Sequence, residues 1–366
     1  MQNKITTAVV GASSITGGEI CRLLLGHPMV SEIIPLSRSP GDFERTHMNL
    51  MGSRLSFVQL DDYLKSAYVP DVVFFSTPSG EAMQLAEAFL DKGSKVIDVS
   101  GDFRFSDPFE YENVYEKKHV APHLLPKAVC GITEMNRDTI RKADLVANPG
   151  CYVIATILGL WPLLQDDITC IDSNLFITAI NGTTGAGSKC RKELHHPYAD
   201  GNMFPYNISG HRHKREIQRR IHERKDDFPI PNLTTLHGNF ARGIISVIAL
   251  PLTSESKGAY DRTYFLEKYA RFYEEDDPGM HFVRVNRFSQ KFQEKNKKEY
   301  DIFPSLARVI GSNFCDIGLD VDLESNTLKI ISVIDNLIKG AAGSAIQNMN
   351  IMFNFDETEG IKAYGL

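Results

Sequence analysis

The chain has 366 residues, enough for two domains with a large core, and its 40 Lys plus Arg against 46 Asp plus Glu leave a net charge of -6. That balance offers no global attraction to nucleic acid, and no stretch approaches the roughly 20 consecutive apolar residues that cross a bilayer. Met1 to Thr7 carry no apolar run of signal-peptide length, and Cys21, Cys130, Cys151, Cys170, Cys190 and Cys315 form no C-x-x-C pair. A cytoplasmic protein without a disulfide scaffold or zinc ribbon is expected.

In chain order, Ile5 to Val10 is an apolar run that stops at Gly11, and Gly17 to Leu25 reads as a helix, so strand, glycine turn and helix open an α/β unit. Further strands are predicted at Glu32 to Leu36, Asp71 to Ser76, Lys95 to Val99 and Leu145 to Ala147, with helical patterns at Asp61 to Lys65 and Glu81 to Leu90. Mostly apolar past their first residues, they read as a parallel sheet covered by helices on both faces.

The loop Gly11-Ala12-Ser13-Ser14-Ile15-Thr16-Gly17 stands where a dinucleotide cradle belongs: Gly11 for the tight turn, Gly17 for close helix packing, the pyrophosphate on the helix N-terminus. Ser14 replaces the middle glycine, which leaves an ordinary βα turn as the alternative. The second strand ends Leu36-Ser37-Arg38, a hydroxyl and a guanidinium where an NAD-selective fold places a carboxylate, and this favours NADP(H). Ser76-Thr77-Pro78-Ser79-Gly80 ends another strand at the same crevice, with Thr77 or Ser79 also suited to cap the next helix.

Asn148-Pro149-Gly150-Cys151 closes the last of these strands and opens a helical run to Leu163. A thiol at a helix N-terminus meets unpaired N–H groups and the positive end of the dipole, which favour the thiolate and lower the pKa from about 8.5. The alternative is a buried structural cysteine. Beyond it, strands at Asn174 to Ile180, Thr234 to Leu236, Ile244 to Leu250, Arg308 to Ile310, Asp316 to Asp320 and Leu328 to Ile334 alternate with helices at His213 to His222 and Thr263 to Glu274. This mix predicts an α+β domain whose sheet is exposed on one face unless a second subunit covers it. The final apolar helix, Gly340 to Met352, has no strand after it and is expected to return to the first domain, giving domains of 1–150 plus 340–366 and 151–339.

Cysteine and nicotinamide combine in one chemistry: the thiolate attacks an activated acyl group, phosphate leaves, and hydride reduces the thioester to an aldehyde. Acid-base candidates are His211 and His213, which flank Arg212; a neutral imidazole can take a thiol proton and return it. His195-His196-Pro197 is a second pair, but no carboxylate or thiol spacing makes a metal site of these histidines. Asn181-Gly182-Thr183-Thr184-Gly185-Ala186-Gly187-Ser188-Lys189 can cradle a phosphate through backbone N–H groups and Lys189, or be a flexible surface loop. Arg242, beside Gly243, suits a bidentate grip on a carboxylate.

With these residues the chain resembles the N-acetyl-gamma-glutamyl-phosphate reductases of arginine synthesis, relatives of aspartate-semialdehyde dehydrogenase, over nearly its whole length. The resemblance rests on GASSITGGE at Gly11 to Glu19, SGDFRFSD at Ser100 to Asp107, NPGCY at Asn148 to Tyr152, NGTTGAG at Asn181 to Gly187, GHRHKREI at Gly210 to Ile217, ARG at Ala241 to Gly243 and DNLIKGAAG at Asp335 to Gly343. It implies a Rossmann-type NADP domain with a catalytic and dimerisation domain, Cys151 as nucleophile and His211 as catalytic histidine. It also implies an acyl-phosphate loop at Thr183 to Lys189, including Thr184 and Gly185, with Arg212 and Arg242 near the substrate. Cofactor contacts are implied at Gly11, Ser13, Ser14, Ile15, Thr16, Gly17, Ser37, Arg38, Thr77, Pro78 and Asn336, and assembly as a homodimer or homotetramer.

The chain departs from the family pattern at Ser14-Ile15, Val153-Ile154, Asn181-Gly182 and Ser188, where Gly-Tyr, Pro-Thr, Ser-Gly and Arg are usual. His195-His196-Pro197 and Ile334-Asp335-Asn336 resemble the reductases of carrier-protein-linked aminoadipyl phosphate in lysine synthesis, and that substrate is the alternative. Arg219, Arg220, Arg224, Lys225 and the Lys291 to Lys298 stretch would then offer a docking surface for an acidic carrier, against ordinary solvated faces. An inactive NADP-binding regulatory or structural homologue is the alternative of a different class.

Overall fold

Seven parallel strands form the first sheet: β1 (Ile5–Val10), β2 (Val30–Ser37), β3 (Val58–Gln59), β4 (Val72–Phe75), β5 (Lys95–Asp98), β6 (Val129–Cys130) and β7 (Leu145–Ala147), in the order β3-β2-β1-β4-β5-β7-β6. They belong to a computed structural model that describes residues 3–38, 41–165, 171–172, 174–275, 279–287, 300, 302–361 and 364–365. Cys170 and the Lys291 to Lys298 stretch lie outside the described residues. The chain divides into two compact units, Met1–Gly150 with Ala186–Lys189 and Gly340–Ala363, and Cys151–Gly185 with Cys190–Lys339 and Tyr364–Leu366.

In the first unit every residue of β4 is buried, as a central strand with helices on both faces requires. Val10, Leu36, Phe75, Phe89 and Phe103 share one core. The C-terminal helix, Gly343–Met352, is buried along its whole length and packs in this unit against the helices Ile15–Leu25 and Thr133–Arg141. Its polar residues are paired inside: Asn348 donates to the carbonyl of Gly131 at 2.9 Å and to Asn148 Oδ1 at 3.1 Å, and accepts from the Thr133 hydroxyl at 2.8 Å. Gln347 donates to Glu134 and Glu357 at 3.1 and 2.8 Å.

The second unit holds a mixed sheet of β8 (Leu175–Asn181), β9 (Phe204–Tyr206), β10 (Pro231–His237), β11 (Ile244–Pro251), β12 (Val283–Val285), β13 (Cys315–Asp322) and β14 (Thr327–Ile334), ordered β12-β13-β14-β11-β8-β10-β9. One face packs on the helix Cys151–Leu164, which approaches so closely that a Cβ at Gly159 would stand 3.1 Å from Ile248 Cδ1. Pro162 within this helix cannot donate to the carbonyl of Leu158, and the buried hydroxyl of Tyr273 supplies that missing hydrogen bond. Side chains alternate along β8, with Leu175, Ile177 and Ala179 buried and Phe176 and Thr178 exposed.

Two expectations change. Arg308 to Ile310 is no strand but a 3-10 turn, Leu306–Arg308, continued by backbone bonds of Val309 and Ile310 to the Leu306 carbonyl. Local bonding wins there because Arg308 is drawn to the buried Asp316 at 3.1 Å. The first helix starts at Ile15 rather than Gly17, since the Ser14 side chain caps it.

Candidate active site

In the first unit, Gly11 takes a φ of +81°, and a Cβ there would lie 2.4 Å from the carbonyl oxygen of Ser76. Only glycine fits this turn. At Gly17 a Cβ would lie 2.5 Å from the Gly11 carbonyl oxygen, so helix and strand meet as a dinucleotide loop requires. Ser14, in the place of the middle glycine, accepts from the N–H of Gly17 at 2.9 Å and shares a 2.8 Å hydrogen bond with the Ser76 hydroxyl, tying the loop to the end of β4. Ser13, Ile15 and Thr16 are half-buried beside it, and Ser37 is buried at the end of β2.

Arg38 pairs with Glu81 at 3.0 Å and keeps 48% of its side chain exposed. Pro78 is exposed, while the Thr77 hydroxyl is buried with no hydrogen-bond partner among the described residues. That orphan hydroxyl, the glycine cradle and the cation ending β2 fit a nucleotide cofactor. The cap of the helix Ala82–Leu90 is neither Thr77 nor Ser79: the buried carboxylate of Asp102 takes the N–H of Gly80 at 2.7 Å and of Met83 at 3.1 Å. A short-range reading could not find a cap that comes from twenty residues away.

The segment Ser100 to Phe105 also fixes the turn before Cys151. Arg104 donates to the carbonyls of Asn148 and Val99, both at 3.0 Å, and the Asn148 N–H donates to the Asp98 carbonyl at 2.8 Å. Burial, then the neighbouring Asp102, pushes the Asp98 carboxyl up to about 6.

In the second unit Cys151 is the first residue of its helix and is half-buried. Tyr152 follows it, and its hydroxyl lies 2.8 Å from that of Tyr206. His211 stands 5.3 Å from the Tyr152 ring, 5.5 Å from Tyr206 and 4.7 Å from His213, and Tyr206 stacks on His237 at 4.3 Å. Burial, then Arg212 and His237, pushes the His211 imidazole down to about 4, so it is neutral at pH 7. His211 also caps the helix Arg212–His222, its Nδ1 accepting from the His213 N–H at 3.2 Å. The neutral ring therefore carries its proton on Nε2 and presents a donor there. Burial raises Tyr206 to about 12 and Tyr152 further, keeping both phenols protonated.

The loop after β8 forms a 3-10 turn, Thr183–Ala186, but its N–H groups do not open outward. Those of Thr183, Thr184 and Gly185 donate to the carbonyls of Phe240, Ala241 and Gly182, and the Thr184 hydroxyl also donates to Ala241 at 2.5 Å. These three donors are spent on scaffold and do not serve an anion. Arg212 is exposed in the first turn of its helix, and Arg242 lies 3.7 Å from the buried Asp335. Lys189 is exposed in the segment that groups with the first unit. Asn336, expected at the cofactor, groups with the second unit and spends its amide on Gly243 and Thr184.

His195 and His196 are exposed, and no group of three metal-ligating side chains occurs among the described residues. Arg219 and Arg220 pair with Glu223 at 2.9 and 2.7 Å, and Arg224 lies over Trp161 at 5.2 Å, so this run serves its own helix and its neighbour. No helix among the described residues is long and apolar enough to cross a membrane. Sequence reasoning missed Tyr206, His237 and Asp102. Tyr206 sits on a three-residue strand with no readable period, and its signal is only its pairing with β10.

Residues 6–143 match the family model for the semialdehyde dehydrogenase NAD binding domain, and residues 151–336 that for the semialdehyde dehydrogenase dimerisation domain. An N-acetyl-gamma-glutamyl-phosphate reductase of Methanosphaera stadtmanae is 38% identical over 370 aligned residues, covering 100% of this chain and 99% of the relative. That of Halothermothrix orenii is 36% identical, covering 99% of each chain. Among solved structures, aspartate semialdehyde dehydrogenase II of Vibrio cholerae superposes with a TM-score of 0.68 at 16% identity, covering 96% of this chain and 99% of that one. The NADP complex of the Candida albicans aspartate semialdehyde dehydrogenase gives 0.64 at 15%, covering 96% and 98%; both share the fold. The chain belongs to the N-acetyl-gamma-glutamyl-phosphate reductase family, within the semialdehyde dehydrogenases.

Proposed function

We propose that this chain reduces N-acetyl-glutamyl 5-phosphate to the 5-semialdehyde with NADPH, releasing phosphate. The observation that carries the reading is the pair of helix starts that meet at Tyr152: Cys151 heads one helix, and the neutral His211 heads the other. The helix N-terminus favours the Cys151 thiolate. The thiolate adds to the acyl carbon, the C–O bond to phosphate breaks with a solvent proton going to the departing phosphate, and a thioester remains on Cys151. NADPH, when bound, supplies the hydride that reduces this thioester. Cleavage of the C–S bond then frees the aldehyde and returns the thiolate.

Nε2–H of His211 donates to the substrate oxygen that carries negative charge at each tetrahedral stage, a role its tautomer suits better than taking a thiol proton. Arg242 and Arg212 are the cations for the substrate's carboxylate and phosphate. Gly11, Ser13, Thr16 and Gly17 hold the pyrophosphate, Thr77 and Pro78 line the same crevice, and Ser37 with Arg38 reads the 2′-phosphate that separates NADP(H) from NAD(H). A cytoplasmic enzyme is proposed, its cysteines working as free thiols.

A homodimer or homotetramer is part of this reading. On one face of the second sheet Phe176 is 46% and Val247 36% exposed, on neighbouring strands, and a second copy of the chain would cover them. The test of function is the reverse assay with free N-acetylglutamate semialdehyde, phosphate and NADP. Saturable turnover supports the reading. Turnover only when the semialdehyde is presented on a carrier protein would replace it with the carrier-linked substrate, and NADPH binding without turnover on either would leave a regulatory or structural homologue.

A further inference from the structure

Two neighbouring residues at the end of β14 tie together the elements that surround the proposed substrate. Asn336 is buried; its carbonyl oxygen accepts from the N–H of Gly243 at 2.7 Å, and its amide donates to the Thr184 hydroxyl at 3.0 Å. The hydroxyl in turn donates a hydrogen bond to the Ala241 carbonyl at 2.5 Å, so the three groups form one directed chain of hydrogen bonds from Asn336 to the turn that carries Arg242. The N–H of Gly182 donates to the Gly243 carbonyl at 2.9 Å and closes the knot. Asp335, fully buried, accepts from the N–H groups of Gly311 and Leu337, each at 2.8 Å, and from Ile338 at 3.1 Å. With three backbone donors holding it, its carboxylate is a fixed point 3.7 Å from the Arg242 guanidinium.

A guanidinium that grips a substrate carboxylate must be aimed before the substrate arrives, because a small misplacement of a positioning group costs far more than its own contact energy. We propose that Asp335 and Asn336 are positioning residues that aim Arg242: Asn336 locks its turn to the Thr184 loop, and Asp335 draws its guanidinium to one orientation. This rests on the functional reading above and departs from the cofactor contact that resemblance implies for Asn336.

The test is steady-state kinetics of the reverse reaction, with the KM for semialdehyde and for NADP measured separately. Asn336→Ala, Thr184→Val and Asp335→Asn should each raise the KM for semialdehyde by about tenfold or more while the KM for NADP moves less than about twofold. Thr184→Ser, which keeps the hydroxyl, should raise the KM for semialdehyde several-fold less than Thr184→Val does. Because Asn336 and Thr184 act through one hydrogen bond, the double variant Asn336→Ala with Thr184→Val should be no worse than the worse single one. A KM for NADP that rises as much as that for semialdehyde would return Asn336 to the cofactor and overturn the inference, as would fold-changes that multiply in the double variant. Should Asn336→Ala fail to fold, the Thr184→Val and Thr184→Ser pair decides by the same criteria. No turnover by the unmodified protein overturns the functional reading and this inference together; turnover with the wrong KM pattern overturns the inference alone.

Discussion

The imidazole of His211 stands edge-on to the ring of Tyr152, centroids 5.3 Å apart and planes at 90°. Tyr152 is the residue after Cys151, and its hydroxyl is tied to Tyr206, so the histidine is held against the first turn of the nucleophile's helix by a rigid aromatic wall.

Replacing the nucleophile should separate chemistry from binding. Cys151→Ser is expected to abolish phosphate-dependent reduction of NADP by the semialdehyde while NADPH binding, followed by nicotinamide fluorescence, stays within about twofold. Comparable activity in the serine variant would defeat the covalent route.

His211→Ala should lower kcat by about 10²-fold or more, the scale of losing a donor to a developing oxyanion, with the circular dichroism spectrum unchanged. His213→Asn should cost less. The reverse ranking would move the catalytic role to His213.

The same histidine makes a pH prediction. Its folded pKa of about 4 lies below the ordinary 6.5, so the unfolded chain binds the proton first as pH falls. Its stabilising contribution is complete above the unfolded value and is lost as pH falls through 6.5 toward the folded value of about 4. Asp98, raised to about 6, pulls the other way, so the comparison must be with His211→Asn. In urea titrations, the stability difference between native and variant should shift in the variant's favour as pH falls from about 7 to about 4.

Arg38→Ala should raise the KM for NADPH well above any effect on NADH, because a charge-assisted contact to the 2′-phosphate is lost. Glu81→Gln, which frees the guanidinium from its 3.0 Å partner, should lower the KM for NADPH modestly, the pair being half exposed. Equal kinetics of the native protein with both cofactors would show that Ser37 and Arg38 do not read the phosphate.

Tyr273→Phe removes the hydroxyl that satisfies the buried Leu158 carbonyl, which Pro162 leaves without its helical donor. The expected loss is about 1–3 kcal/mol in urea unfolding, the cost of an orphaned buried acceptor. No change would mean that water or a shifted backbone replaces the bond.

The sequence by itself determined the parts whose signal is local. Apolar runs ending at Gly11 or at Asn148 announce buried parallel strands and the turns at their carboxyl ends, and a cysteine after Pro149-Gly150 announces a helix N-terminus. The mix of β-prone runs and helices after Cys151 likewise announced an α+β domain, whereas the alternation of buried and exposed side chains along β8 and β11 is not written in their nearly all-apolar residues. Short strands such as Phe204–Tyr206 and Val283–Val285 gave no period to read, since two or three residues form a strand only when a partner strand supplies the hydrogen bonds.

What only the tertiary structure decided is where polar groups spend their hydrogen bonds. The glycine and hydroxyl loop at Thr183 to Gly185 has the composition of an anion nest, yet its N–H groups donate to Phe240, Ala241 and Gly182. Thr77 looked like a cap, yet Asp102 caps that helix and the Thr77 hydroxyl is left unspent. Asn336 was implied at the cofactor by resemblance alone, and in the fold its amide bonds Gly243 and Thr184. Composition states how many donors and acceptors a segment owns. Which of them remain for a ligand depends on partners up to hundreds of residues away, because a buried polar group takes the nearest satisfying contact that the fold provides.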